Sequence, residues 1–279
     1  MKLKIGLEIH CPLDTTYKLF CNCKRNQESC GICRGEPGYY PLIPKEEVVS
    51  KYKTTLSLLS LDPLSNLYFQ RKHYKYLDLP KGFQITTCRN NFLKSRIQDN
   101  KVYFVALEED PASIKEILGL RKIDYKRCGN PLLEIVTNPS FETKEEVEEF
   151  YQELERDLEL NELKSKKEPL RVDVNISLSQ NTEDYPNPRI ELKNLHSITN
   201  ISKAIEYERK RITKRFKQRQ SGYLRTIEKQ DWDHTRSYTL EQKTEYSRPK
   251  NQYVFLREIN LPCIEMNISK ETSHKPVIP

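Results

Sequence analysis

The chain has 279 residues, with 36% hydrophobic and 31% charged residues and a formal net charge of +7. That is enough chain for a large packed core, and the apolar residues fall in periodic blocks, so a disordered polyelectrolyte is excluded. No apolar run approaches the roughly 18 residues that a membrane-spanning helix needs. The positive balance fits a polyanionic partner, although a lysine-rich coding bias gives the same figure.

The first element is a strand. Leu3, Ile5, Leu7 and Ile9 alternate with Lys4, Gly6, Glu8 and His10, the period of two that marks a half-buried strand. Glu8 and His10 share its polar face. Gly6 leaves that face open just upstream. A carboxylate and an imidazole so placed suit a metal or phosphate-metal site, and they also suit an ordinary solvated face.

Cys21-Asn22-Cys23 and Cys30-Gly31-Ile32-Cys33 follow. Two close pairs of thiols a short loop apart can wrap one Zn²⁺ tetrahedrally. Four sulfurs close the shell, so the expected role is a structural staple, with Gly31 taking a positive φ. Cys11, Cys88, Cys128 and Cys263 lack paired spacing and are expected as small buried residues. Pro44 opens a helix whose stripe is Val48, Tyr52, Leu56 and Leu59.

Residues 71–84 mix basic and aromatic side chains around Pro80-Lys81-Gly82. This reads as a loop in which Lys72 and Lys81 hold nucleotide phosphates and Tyr74 or Tyr76 covers a base. A plain basic surface loop has the same composition. Val102 to Asp110 is a strand ending in Glu108, Glu109 and Asp110, three acids that repel one another without a cation or basic partner. Leu132 to Val136 is a short strand with Glu134 in an aliphatic run, where an unpaired carboxylate is costly to bury. Function is the favoured explanation of Glu134.

Thr143 to Leu163 is a helix opened by a Thr143/Glu146 capping box. Leu170 to Ser177 puts Val172, Val174 and Ile176 on one side and Arg171, Asp173, Asn175 and Ser177 on the other. Arg189 to Ser197 repeats the pattern with Ile190 and Leu192 against Glu191 and Lys193. A helix from Ile201 to about Gly222, with Ile205, Ile212 and Phe216 in its stripe, carries seven basic residues and no acid between Arg209 and Arg219. That is a polyanion surface or a soluble basic face. In the tail, Gln252 to Glu258 is strand-like. No repeat or long linker appears, so residues 1–279 are expected to form one main domain with a zinc insertion at about 19–35.

Several blocks taken together resemble the GatB/GatE family of tRNA-dependent amidotransferase subunits. They are Ile5-Gly6-Leu7-Glu8-Ile9-His10, Leu19-Phe20-Cys21-Asn22-Cys23, Asp78-Leu79-Pro80-Lys81-Gly82-Phe83-Gln84, Leu107-Glu108-Glu109-Asp110, Gly129-Asn130-Pro131-Leu132-Leu133-Glu134, Leu170-Arg171-Val172-Asp173-Val174-Asn175 and Glu191-Leu192-Lys193-Asn194. The order is right over about 260 residues.

The resemblance implies an α+β cradle, an antiparallel β-sheet with helices packed behind and a small four-cysteine zinc insertion. It implies ATP-dependent phosphorylation of the side-chain carboxylate of misacylated Glu-tRNA(Gln) and/or Asp-tRNA(Asn). Ammonia from a partner glutamine amidase (GatA-like) subunit would then displace the phosphate, with a small GatC-like subunit also in the complex. Implied catalytic residues are Glu8, His10, Glu134, Asp173, Glu191 and Lys193. Implied nucleotide contacts are Lys72, Tyr74, Lys81, Asn175 and Ser177. Implied Mg²⁺ ligands are Glu8, His10, Glu108, Glu109 and Glu134, with Cys21, Cys23, Cys30 and Cys33 for Zn²⁺.

Ala106 stands where the family usually has His, and the residues after Asp110 also depart from the pattern. The family continues into a helical domain and tail that grip tRNA, expected here to be absent. The archaeal GatE insertion has no room, so GatB is the closer type. No leader precedes the first strand, so the expected location is the cytoplasm, with no membrane. The rival readings are a zinc-stabilised tRNA-binding or assembly module, which needs neither ATP nor magnesium, and a zinc hydrolase, which lacks both an open metal position and HExxH-type spacing.

Overall fold

The structure is a computed structural model and describes residues 2–62, 65–88, 94–95, 100–178, 189–220, 233–237 and 253–266. The strands are β1 (Leu3–Pro12), β2 (Leu61–Asp62), β3 (Asn66–Leu67), β4 (Phe69–His73), β5 (Phe83–Thr87), β6 (Lys94–Ser95), β7 (Val102–Glu109), β8 (Ser113–Ile117), β9 (Leu120–Asp124), β10 (Pro131–Thr137), β11 (Arg171–Leu178), β12 (Arg189–Leu195), β13 (Asp233–Ser237), β14 (Val254–Arg257) and β15 (Ile264–Glu265). The helices are α1 (Gly31–Arg34), α2 (Glu46–Leu58), α3 (Lys144–Leu160) and α4 (Ile198–Gln220).

Nine strands form one curled sheet in the order β13-β12-β11-β1-β10-β7-β5-β4-β14. Every pairing in it is antiparallel except β12 with β13. Its apolar face carries Ile5, Leu7 and Ile9 of β1, Val172, Val174 and Ile176 of β11, Leu133 and Ile135 of β10, and Val105 and Leu107 of β7, all buried. These side chains join α2, α3 and α4 in one core through Val48, Leu56, Val147, Leu154, Leu158, Ile201 and Ile205. Each buried aliphatic of this size contributes about 1.5–3 kcal/mol, so this face fixes the register. A slip of one residue would send the whole set of β1 aliphatics to the other side. Tyr52 also ties α2 to the sheet, donating its hydroxyl to the Val105 carbonyl at 2.9 Å.

α3 starts where its capping residues place it. The Thr143 hydroxyl accepts from the Glu146 amide at 3.2 Å. The Glu146 carboxylate reaches one residue beyond the expected box and accepts from the Glu142 amide at 2.9 Å. α4 buries Ile201, Ile205 and Ile212 as its stripe requires; the Phe216 side chain and Gly222 lie outside the described residues.

Four expectations change. Residues 71–84 are not one loop, because β4 and β5 take both ends and leave a connection at 74–82, with Gly82 at φ +70°. The β8–β9 hairpin has no counterpart among the expected elements; its side chains are mostly exposed and lack the alternation that marks a half-buried strand. Cys263 is exposed and Cys88 half-buried, whereas Cys11 and Cys128 are buried. Gly31 does not have a positive φ; the left-handed residue is Gly35 at φ +71°, which ends α1. Gly31 is instead required by close packing, since a Cβ there would lie 2.5 Å from the Tyr39 ring.

Candidate active site

The polar face of the sheet is set by strand register. His10 lies between Arg171 of β11 and Glu134 of β10, and Glu134 lies beside Ala106 of β7. Glu8 is opposite Asp173, two residues along. Glu108 is two residues beyond Ala106 on the same face. His10 Nε2 is 3.6 Å from Glu8 Oε1 and 4.0 Å from Glu108 Oε1. Above them is a cleft of about 260 Å³ whose floor includes Glu8, His10, Glu108 and Asp173.

The charges here oppose one another. Burial pushes the Glu8 carboxyl up to about 8, and the neighbouring Glu134 adds to the shift. Burial and Glu134 likewise hold Glu108 well above the usual carboxylate range. Burial holds the His10 imidazole below its usual value, in the neutral form that offers a lone pair. Glu108 Oε2 is buried without a hydrogen-bond partner among the described residues. A cation is what would let these acids ionise together.

The cations on the walls respond to the same field. Burial would lower the Lys72 ammonium, but Glu134, Glu108 and Glu8 outweigh it and raise it. For Lys193, Asp173 and Glu191 likewise outweigh burial. Lys193 pairs with the Asp173 carboxylate and lies 3.0 Å from Glu191 Oε1.

Part of the cleft wall is aromatic. The Tyr74 ring is 5.3 Å from Tyr76 and 5.5 Å from Tyr253, edge to face in both cases. Lys72 Nζ lies 4.9 Å from the Tyr253 ring centre. Tyr253 reaches the cleft because β14 pairs with β4 and Arg71 grips the fully buried Glu258 carboxylate at 2.5 and 3.1 Å. Two guanidinium groups also line the cleft. Buried Asp110 receives Arg171 at 2.9 Å and lies 3.9 Å from Arg127.

Glu8, His10, Glu108, Lys72, Tyr74, Asp173 and Lys193 therefore meet around one cleft, with Glu134 buried beside them. Other predicted residues do not join them. Glu109 alternates to the opposite face from Glu108, where it pairs with Lys81 at 2.5 Å and accepts from the Ile85 amide at 2.9 Å. Lys81 is thereby committed and buried, with its stem against Gly35. Asn175 and Ser177 share the Asp173 face but stand opposite Gly6 and Lys4, outside the cleft lining. Glu191 is outside the cleft lining and lies 3.0 Å from Lys193. Sequence reasoning did not single out Arg127, Arg171, Tyr253 and Gln84. Arg171 carried a signal in its place on the polar face of an alternating strand, and Arg171 and Gln84 both fall in blocks that carry the resemblance.

The cysteine cluster is more compact. Among the described residues, only Cys21, Cys23, Cys30 and Cys33 bring three or more ligand atoms all within 4.8 Å of one another. The Cys30 and Cys33 sulfurs are 3.8 Å apart and those of Cys21 and Cys33 3.3 Å. A tetrahedral Zn²⁺ with bonds of about 2.3 Å needs sulfurs about 3.8 Å apart, so the donor set fits that ion. The acidic cluster is looser and suits a hard cation that keeps part of its water.

A family model described as the GatB/GatE catalytic domain matches residues 3–272. The chain belongs to the GatB/GatE family. It is 37% identical over 221 residues to the B subunit of the aspartyl/glutamyl-tRNA(Asn/Gln) amidotransferase from Methanococcus vannielii, covering 75% of this chain and 45% of that protein. Proteins of the same name from Methanocaldococcus jannaschii (36% over 217 residues) and Methanopyrus kandleri (35% over 215 residues) align over 75% and 74% of this chain and 45% of each relative. The chain thus spans about half the length of the relatives it matches. No described helix is long and apolar enough to cross a membrane.

Proposed function

We propose that the cleft performs the ATP-dependent activation step of a cytoplasmic tRNA-dependent amidotransferase. A side-chain carboxylate oxygen of misacylated Glu-tRNA(Gln) and/or Asp-tRNA(Asn) attacks the γ-phosphorus of ATP. The bond to the bridging oxygen breaks and ADP leaves. Ammonia then attacks the acyl-phosphate carbon, phosphate departs, and a proton is lost to give the amide. The observation that carries this reading is the row His10–Glu134 with Glu8 and Glu108 beside it, carboxyls that burial and mutual repulsion hold above the usual range while Lys72 pulls them down.

Phosphoryl transfer needs mainly positioning and charge neutralisation. Glu8, His10, Glu108 and Glu134 would hold Mg²⁺, which neutralises phosphate oxygens as charge moves to the leaving group. Lys72 and Lys193 receive phosphate oxygens from the walls. Tyr74 and Tyr253 cover the base. Arg171, anchored by Asp110, orients an anionic oxygen. Asp173 and Glu191 hold Lys193 in position. Cys21, Cys23, Cys30 and Cys33 hold a structural Zn²⁺. A glutamine amidase and a small third protein complete the complex, and parts beyond the cradle, as in the longer relatives, grip tRNA.

The test uses the purified chain, ATP, magnesium and Glu-tRNA(Gln), with ammonium as nitrogen source. The expected result is ATP-dependent Gln-tRNA(Gln) that disappears in Glu134→Ala. Absence of both product and magnesium-dependent nucleotide binding overturns the reading. Nucleotide binding without product places the deficit in tRNA engagement.

A further inference from the structure

Lys18 is the most completely buried cation among the described residues, with no exposed surface. Its ammonium donates to the Ser29 hydroxyl at 2.8 Å and to the Tyr125 carbonyl at 3.5 Å. The Ser29 hydroxyl donates in turn to the same carbonyl at 2.5 Å. Both acceptors are neutral, and no carboxylate lies within ion-pair distance among the described residues. A buried ammonium with only neutral partners carries a large desolvation cost, and proteins normally offset it with an anion.

A candidate anion lies beside it. The Lys18 amide donates to the Cys23 carbonyl at 3.0 Å, so Lys18 is built into the cysteine knuckle. Its stem and the Cys33 sulfur flank Gly129, where a Cβ would sit 3.8 Å from each. Four thiolates around a divalent ion carry a net charge of −2. Two other basic groups near the knuckle pair with carboxylates, Lys81 with Glu109 and Arg34 with Glu36, and Lys45 donates to the Asn22 side chain at 2.8 Å.

We propose that Lys18 is the buried counter-ion of a dianionic metal–tetrathiolate cluster, a positioning residue that keeps all four cysteines ligated as thiolates. The ammonium and the cluster each offset the other's burial. This accounts for a lysine held in neutral company beside sulfurs that no disulfide links. The proposal does not depend on the phosphoryl-transfer reading, because its readouts are metal release and the spectrum of the cluster.

The experiment compares Lys18→Met, Lys18→Gln and Lys18→Arg in the full chain, loaded with Zn²⁺ for release kinetics against a chromophoric chelator and with Co²⁺ for thiolate charge-transfer bands. Loss of charge is expected to speed release about tenfold or more in Lys18→Met and Lys18→Gln, with weaker thiolate bands. Lys18→Arg is expected to stay within about threefold of wild type. Ser29→Ala loosens the ammonium without removing it, so it covers the case in which Lys18→Met does not fold; release about threefold faster is expected. Wild-type rates and spectra throughout overturn the proposal. Equal loss in Lys18→Arg and Lys18→Gln also overturns it, because that pattern reports shape rather than charge.

Discussion

In the knuckle, four sulfurs from residues 21–33 lie within 4.8 Å of one another. In the cleft, Glu8, His10, Glu108 and Glu134 come from three separate strands, with His10 Nε2 3.6 Å from Glu8 and 4.0 Å from Glu108 and with Glu108 hydrogen-bonded to Glu134. The knuckle is a closed shell from one short stretch of chain, the geometry of a cation that holds structure. The cleft spreads its acids over three strands beside Lys72, Lys193 and Arg171, a donor set that would suit a cation also meeting phosphate. Between the two, Glu109 and Lys81 form a buried pair that packs against Gly35 on one side and precedes Asp110 on the other. The Lys81–Glu109 pair thus links the residue that ends α1 to the end of the strand that carries Glu108.

The sharpest break in this comparison is Glu134→Gln. Amidation should fall by about 10²–10³-fold, the cost of losing one preorganised charge at a reacting centre. The same change removes repulsion from Glu8 and Glu108 and attraction to Lys72, and where the repulsion outweighs the attraction the cation-free protein melts higher, by roughly 2–4 °C per kcal/mol relieved. Activity assays and calorimetry check the two halves, and a variant that loses both activity and stability would mark Glu134 as structural. Metal removal from the knuckle should act oppositely, because a structural metal contributes folding energy. Chelation should lower the melting temperature and release amide protection at residues 18–36, read by hydrogen exchange. Unchanged protection would count against the staple.

Tyr253→Ala should weaken nucleotide binding about tenfold, within the roughly 1–3 kcal/mol of one base–aromatic stack. Equilibrium dialysis with and without magnesium measures it. The pH dependence follows from Glu8. Folded protein keeps that proton up to about pH 8, whereas the unfolded chain releases it near the ordinary 4.5. The folded state therefore binds more protons between these values, and cation-free stability falls as pH rises through that window. Glu8→Gln should flatten this slope in denaturant titrations; an identical slope would assign it to other groups. The smallest effect belongs to Thr143→Ala, about 1 kcal/mol for a lost helix cap, with activity unchanged.

Much of the fold is legible because the strands alternate. β1, β11 and β12 each declare a buried face and a polar face, and Glu134 is conspicuous in an aliphatic run. The α3 boundary follows from Thr143 and Glu146. What cannot be read is which polar faces meet. Glu108 and Glu109 look equivalent in sequence, yet strand alternation sends one to the cleft and the other to Lys81. Tyr253 is invisible as a site residue until β14 pairs with β4. Arg127 follows an exposed hairpin that carries no buried-face pattern, and only the fold brings it to Asp110.

The central claim is that the cleft holds a divalent cation separate from that of the knuckle. Mn²⁺ binding followed by electron paramagnetic resonance tests this most directly, in wild type, Glu108→Gln and Cys21→Ser. The account predicts a bound Mn²⁺ signal that shifts with ATP, is lost in Glu108→Gln and survives in Cys21→Ser protein that remains folded. Binding indifferent to Glu108, or abolished only by loss of the cysteine, would contradict it.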